Sequence, residues 1–375
     1  MSDVQFLSPG FSLQRFTSLM QKFQLDGILL TSPENVYYAS GFPSIHSAGN
    51  PILYALRNVL PYYAYLDREG NATLLCWGGA AAGVRFSARQ VITFPDAATA
   101  RQKLGELLAQ QAKQIGRIGL ETTCPLETYR MVENAFDAGR IALCDELIGE
   151  MRLIKSANEI GYMKRSTAIV EQTVAELMGL LHIGISRPEL IHQAKARMLK
   201  NGATGIGHVT ISFGSSNPEV EIDEQLQPNK LVVLDLGALY LGYASDNRRL
   251  LYSGKIPAGM LALHATMCEI VDEVAERMKP GTSFDELYQL AIQLYQKHKL
   301  DPFIPNVGHS IGLNTEEAWI YKDSPVLVQP GMVINLELYS LYETGELIGD
   351  EETYYIDEIG AQQMTSLPRP IKEIS

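Results

Sequence analysis

A chain of 375 residues is long for one domain and fits two of ordinary size. Hydrophobic residues make up 46% of it and charged residues 20%, a globular balance that excludes a disordered chain. The 31 basic residues against 43 acidic ones leave a net charge of −12 with no dense Lys/Arg run, which excludes nucleic acid as an expected partner. The opening MSDVQFLSPGFS has no basic region followed by an apolar stretch, and no later window approaches the roughly 20 apolar residues of a membrane span. A cytoplasmic protein with no membrane partner is therefore expected. Cys76, Cys124, Cys144 and Cys268 show no CxxC spacing and no His partner, so they read as reduced, buried small residues.

In chain order, the first part alternates helical and strand-like patterns, as in an α/β domain. Phe11 to Phe23 has helical spacing; Asp26-Gly27 turns into the apolar strand Ile28 to Thr31, and Ser32-Pro33-Glu34-Asn35 reads as another turn. Strands are predicted at Tyr62 to Leu66, Ala72 to Trp77, Val91 to Thr93 and Arg117 to Glu121, with an amphipathic helix over Ala97 to Lys113. The texture changes between Glu146 and Asn158, where a long helical stretch begins that runs to about Leu181. The expected domains are residues 1–150 and 151–375. Two later helices open with capping-box spacing, Ser186 with Glu189 and Ser283 with Glu286. Asn201 to Pro218 reads as mixed loop and strand without a phosphate-loop signature. Met260 to Met278 is another helix, and short strands and loops follow Pro302.

Between those helices lies Leu231 to Leu251, LVVLDLGALYLGYASDNRRLL. Its apolar run, its turn region bracketed by Gly237 and Gly242, and its resumed extended pattern read as a β-hairpin carrying Asp235 and Asp246. A lone ionised carboxylate inside such a strand costs several kcal/mol unless it is paired, hydrogen-bonded or metal-bound. Taken alone, Asp235 fits a strand-end cap or a partner for Arg248 or Arg249 equally well. Three later segments offer further ligands: Gly308-His309-Ser310-Ile311-Gly312-Leu313, Asn335-Leu336-Glu337, and Gly349-Asp350-Glu351-Glu352-Thr353. In each, a metal-capable side chain is flanked by apolar or small residues, a context of burial. Four carboxylates and one imidazole are an oxygen-rich set sufficient for two divalent ions, although a His in a Gly-rich turn or a Glu at a strand end is individually often structural.

The order Asp, Asp, His, Glu, Glu in these contexts resembles the pita-bread metallohydrolases, the family of Xaa-Pro dipeptidase, aminopeptidase P, methionine aminopeptidase and creatinase. DGILLTSPENVYYASGF is similar to the opening of that family's creatinase-type N-terminal domain, and MRLIKSANEIGYMKRS to the helix entering its catalytic domain. DLGALYLGYASDNRR resembles the two-aspartate motif, with Arg249 after the second Asp; GHSIGL resembles the ligand-His motif, MVINLEL the first Glu motif and DEET the second. The resemblance implies an α/β N-terminal domain followed by an α+β pita-bread catalytic domain. It implies Asp235 as a ligand of one metal, Asp246 and Glu351 as bridges, and His309 and Glu337 on the second metal. It further implies a water or hydroxide between the ions as nucleophile, with Glu337 as its base. Two divalent ions are expected, manganese foremost, with cobalt, zinc or iron also suiting the donors. A homodimer acting on a small peptide or peptide-like substrate is the corresponding assembly.

Departures from the family motifs concern the substrate. Glu316 stands where the family carries a second His after the ligand His, and no His lies between His208 and Asp235. His208 itself reads as structural. Leu338 follows Glu337 in place of Pro-Gly, and Gly349 stands where many members have an Arg. Glu221, Asp223 and Glu316 suggest a cationic or amine-bearing substrate, with Glu316 the candidate substrate-binding residue. The leading expectation is a dinuclear hydrolase of a peptide or amide C–N bond, Xaa-Pro dipeptidase-like. The alternatives are a metal-dependent amidohydrolase or lyase on a non-peptide metabolite, and a non-catalytic pita-bread binding protein.

Overall fold

The computed structural model describes residues 4–6, 10–45, 52–220 and 222–374. It divides into two compact units, Met1–Arg152 and Leu153–Ser375.

Among the described residues of the first unit, a six-stranded sheet runs in the order Gln90–Phe94, Ala72–Trp77, Tyr63–Asp67, Gly27–Leu30, Ile118–Leu120, Ile141–Leu143. The helix Ala97–Gln111 buries Leu104 and Leu108 against Leu29, Leu75 and Phe94 of this sheet. The segment expected to turn at Ser32 is instead the first turn of a helix, Pro33–Ser40. Pro33 supplies a helical φ where no amide bond is needed, and Gly41 closes the helix with φ 74°. The cap is remote: the Glu121 carboxylate accepts from the Ser32 amide at 2.9 Å, the Ser32 hydroxyl at 2.5 Å and Asn35 at 2.7 Å. Nothing local to Ser32 announces it.

In the second unit, each of two sheets carries two helices on one face. The central strand of the first sheet, Leu231–Tyr240, pairs antiparallel with Gly205–Phe213 on one side and Asn247–Ser253 on the other. Helices Ala157–Met178 and Arg187–Lys200 cover it through Val170, Val174, Leu190, Ile211 and Leu234. In the second sheet, Val333–Leu341 lies between Gly308–Ser310 and Leu347–Ile356, with Ala361–Gln363 beyond. Helices Ala258–Arg277 and Phe284–His298 pack there on Ile334, Leu336 and Leu338. Each fully buried aliphatic side chain of these layers contributes about 1.5–3 kcal/mol.

Ser283 and Glu286 form the complete capping box, whereas Ser186 accepts the Glu189 amide only. A further box at Ser156 and Glu159 starts the long helix at Ala157, and so separates it from the preceding helix Asp145–Leu153. The hairpin turns at Leu241-Gly242, with φ of 49° and 86°, since Tyr240 pairs directly with Tyr243. A two-residue loop with both φ positive matches the twist of its strands. Gly237 lies within the strand, at a register shift against Gly205–Phe213, rather than at the turn. No helix among the described residues is long and apolar enough to cross a membrane.

Candidate metal centre

The two sheets of the second unit bring Asp235, Asp246, His309, Glu337 and Glu351 together. Asp235 projects from the central strand, and Asp246 lies just before its antiparallel neighbour, where Leu236 pairs with Asn247. Glu337 and Glu351 face each other as direct cross-strand partners. His309 sits on the adjacent strand opposite Asn335. Its Nε2 is 3.7 Å from Asp246 Oδ2 and 3.9 Å from Glu337 Oε1. Its Nδ1 lies 3.2 Å from the Ser310 carbonyl, an acceptor that favours Nδ1–H and leaves the Nε2 lone pair facing the carboxylates. Trp319 packs edge-on against the imidazole at 5.2 Å.

Neither nearby arginine neutralises Asp235 through a described ion pair. Arg249 ion-pairs with Glu352 at 2.8 Å, and Arg248 donates to the Leu347 carbonyl at 2.9 Å and lies over the Tyr339 ring. Burial, joined by repulsion from Asp246 and Asp235, pushes the Glu337 carboxyl up to about 8. The same causes, with Glu337 added, hold Glu351 well above the usual carboxylate range. Burial also acts to raise Asp246, but His208 and His309 pull it below that range. Crowded carboxylates that raise one another are the electrostatic signature of a cation site, and their oxygens with imidazole nitrogen fit a pair of divalent ions.

The sign of a pH effect follows. A Glu carboxyl with an unfolded value of about 4.3 and a higher folded value stabilises the fold while protonated, and loses that contribution as pH rises through the folded value. Chelator-treated protein is therefore expected to lose thermal stability as pH rises from about 4.3 towards about 8, with a smaller fall in Glu337→Gln. Added divalent cation restores most stability at the upper end, because it neutralises the mutually repelling carboxylates once their protons are lost. Thermal unfolding scans at pH 5.5 and 8 check this; an equal fall in the variant would contradict it.

Two neighbours of the cluster are not placed there by the sequence reading. His208 reads from the sequence as structural, yet its Nε2 is 3.0 Å from Asp235 Oδ1 and 3.2 Å from Asp246 Oδ1. The reason is strand pairing: His208 stands opposite Gly237, and its ring crosses the space a Cβ there would fill, 2.4 Å from that position. Tyr339 is the second. Its hydroxyl lies 2.8 Å from Glu351 Oε2 and 3.2 Å from Glu337 Oε2, while Asn335 donates to Glu351 Oε1 at 2.9 Å. The Tyr339 ring also accounts for Gly349, where a Cβ would meet Tyr339 Cδ1 at 2.1 Å and the Leu338 carbonyl at 2.3 Å.

Glu316 is exposed, and its charge contributes to raising Glu337. Asp223 is exposed, and Glu221 lies outside the described residues. The cysteine reading needs two corrections: Cys124 and Cys268 are only partly buried, and Cys268 does have a His beside it, His264 one helical turn earlier, with Sγ 3.7 Å from Nδ1. Asp350 completes that group, but Arg369 engages both of its oxygens at 2.6–3.2 Å. Burial pushes the Cys268 thiol up to about 12, and Arg369 already neutralises Asp350 in this group.

The model of metallopeptidase family M24 matches residues 161–358, and that of the creatinase/prolidase N-terminal domain matches residues 13–154. The chain is 26% identical over 371 residues to the Xaa-Pro dipeptidase of Pyrococcus furiosus, covering 96% of this chain and 99% of that protein. It is 23% identical over 369 residues to the putative dipeptidase YkvY of Bacillus subtilis, covering 96% and 98%. Among solved structures, the prolidase of Pyrococcus horikoshii OT3 superposes with a TM-score of 0.80 at 23% identity, covering 95% of this chain and 98% of that one. The X-Pro aminopeptidase of Thermotoga maritima gives 0.77 at 21%, covering 97% and 99%.

Proposed function

The chain belongs to metallopeptidase family M24, with a creatinase-type N-terminal domain, and from that premise we propose that it is a dinuclear hydrolase of Xaa-Pro dipeptides. The observation that carries the proposal is the convergence of Asp235, Asp246, His309, Glu337 and Glu351 from two sheets onto one crowded cluster. In it Asp235 would hold one divalent cation and His309 and Glu337 the other, with Asp246 and Glu351 available to both. When bound, the two cations supply Lewis acidity towards a carbonyl and acidify water near neutral pH. Manganese suits a set in which oxygens outnumber nitrogens, as do cobalt, zinc and iron.

The chain's own groups position and move the proton. The Tyr339 hydroxyl and Asn335 amide fix the two oxygens of Glu351, and Tyr339 also restrains Oε2 of Glu337. Glu337, which a bound cation would keep ionised, is the carboxylate placed to act as base. It takes a proton from the attacking water, whose hydroxide bonds the acyl carbon, and passes it to the nitrogen released as the C–N bond breaks.

One observation favours a second reading. The exposed Glu316 places negative charge near Glu337, which suits an amine-bearing, non-peptide amide as substrate. A panel of Xaa-Pro dipeptides, other dipeptides and small amides separates the two. The first reading expects proline release with kcat/KM at least about tenfold above that for other dipeptides. Release of proline from no member of the panel would favour the second.

A further inference from the structure

We propose that His208 is a sixth protein ligand of the dinuclear centre, bonding through Nε2 to the cation held by Asp235, so that each of the two cations carries one imidazole. The inference rests on the dinuclear reading above and goes beyond its five ligands, which include a single His. The geometry supplies the argument. Two donors each about 2.1 Å from an ion and at right angles to one another stand about 3 Å apart. His208 Nε2 stands 3.0 Å from Asp235 Oδ1 and 3.2 Å from Asp246 Oδ1, and the ligand atoms of all three residues lie within 4.8 Å of one another.

The two imidazoles approach different oxygens of one carboxylate. His208 faces Asp246 Oδ1 at 3.2 Å, and His309 faces Oδ2 at 3.7 Å. A bridging Asp246 with one nitrogen donor beyond each oxygen is the arrangement of two cations, each with its own His. The imidazole is delivered by a regular strand, Gly205–Phe213, and passes over Gly237, where a side chain would collide with Cε1 and Nδ1 at 2.4 Å. A glycine two residues after a ligand Asp thus opens the path by which the ring reaches the centre. The competing account makes His208 an imidazolium paired with two aspartates, which a cation would have to displace.

A second nitrogen donor raises affinity for cobalt relative to manganese. The experiment is titration of the chelator-treated full chain with Co(II) and with Mn(II), reading stoichiometry by atomic emission and cobalt coordination by visible absorption. Wild type, His208→Ala and His208→Gln are compared, with circular dichroism to establish folding and the Gln variant to decide if the Ala variant unfolds. Expected are about two Co(II) per wild-type chain, and in the variants one site retained and the other weakened at least about tenfold, with an altered cobalt spectrum and a smaller loss for Mn(II). Two Co(II) bound with unchanged or tighter affinity and an unchanged spectrum in a folded variant would overturn the inference alone. A wild-type chain that binds no Co(II) would overturn the dinuclear reading, and the inference with it.

Discussion

Asp246→Asn is expected to abolish binding of both cations and to lower turnover by about 10⁴-fold or more. The magnitude follows from the several kcal/mol that metal ions contribute to charge stabilisation in such hydrolyses, at about 1.4 kcal/mol per factor of ten. Asp246 is singled out by position: its two oxygens face different imidazoles, His208 and His309, at 3.2 and 3.7 Å. Neutralising it affects both cation positions, whereas a change at His309 reaches one. The Asn side chain keeps the shape, and Thr353 continues to anchor residue 246 through its main-chain carbonyl at 3.1 Å. The fold should survive while the chemistry does not. Steady-state assays on an Xaa-Pro dipeptide, with metal content measured on the same samples, check this; unchanged activity in a variant free of wild-type enzyme would refute the bridging role.

The second large effect is on stability. Arg249→Ala is expected to destabilise the protein by about 3–5 kcal/mol, because it leaves the Glu352 carboxylate buried without its guanidinium. The pair is 2.8 Å apart, with side chains 2% and 0% exposed. Arg249 also donates to the carbonyls of Arg248 at 2.7 Å, Leu367 at 3.0 Å and Glu351 at 3.3 Å, so it fastens the strand carrying Glu351 to its neighbours. Burial already pushes Glu352 up to about 7 against the pull of Arg249. A fall in Tm of roughly 6–20 °C is the corresponding shift for a unit of this size. Arg249→Met with Glu352→Leu should recover much of that loss, since replacing both partners by apolar groups removes the stranded charge. A single variant with wild-type Tm would contradict the assignment.

What was legible in the chain had a local cause. Asp235, His309, Glu337 and Glu351 each stand in a short apolar or glycine-rich context that marks burial, and the capping pair at Ser283 advertises a helix start within four residues. The family was legible because motif order joined those segments, and the α/β unit followed by the α+β unit came with it. What was not legible depends on partners distant along the chain. His208 reaches Asp235 across 27 residues by strand pairing, and its only local trace is Gly237 on the facing strand. Tyr339 and Gly349 explain each other across a hairpin, one ring filling the space of the missing side chain. Ser32 reads as a turn because its helix cap comes from Glu121, 89 residues away. Cys268 is the exception: His264 stands one helical turn before it, a spacing the sequence displays and a search for CxxC does not sample.

The proposed holding of two divalent cations in one centre by Asp235, Asp246, His309, Glu337 and Glu351 is open to direct measurement. Its most direct test is metal analysis of the full chain, purified without chelator and reconstituted with manganese, cobalt or zinc. About two ions per chain are expected, lost together in Asp246→Asn; fewer than about one ion per wild-type chain would contradict a dinuclear centre.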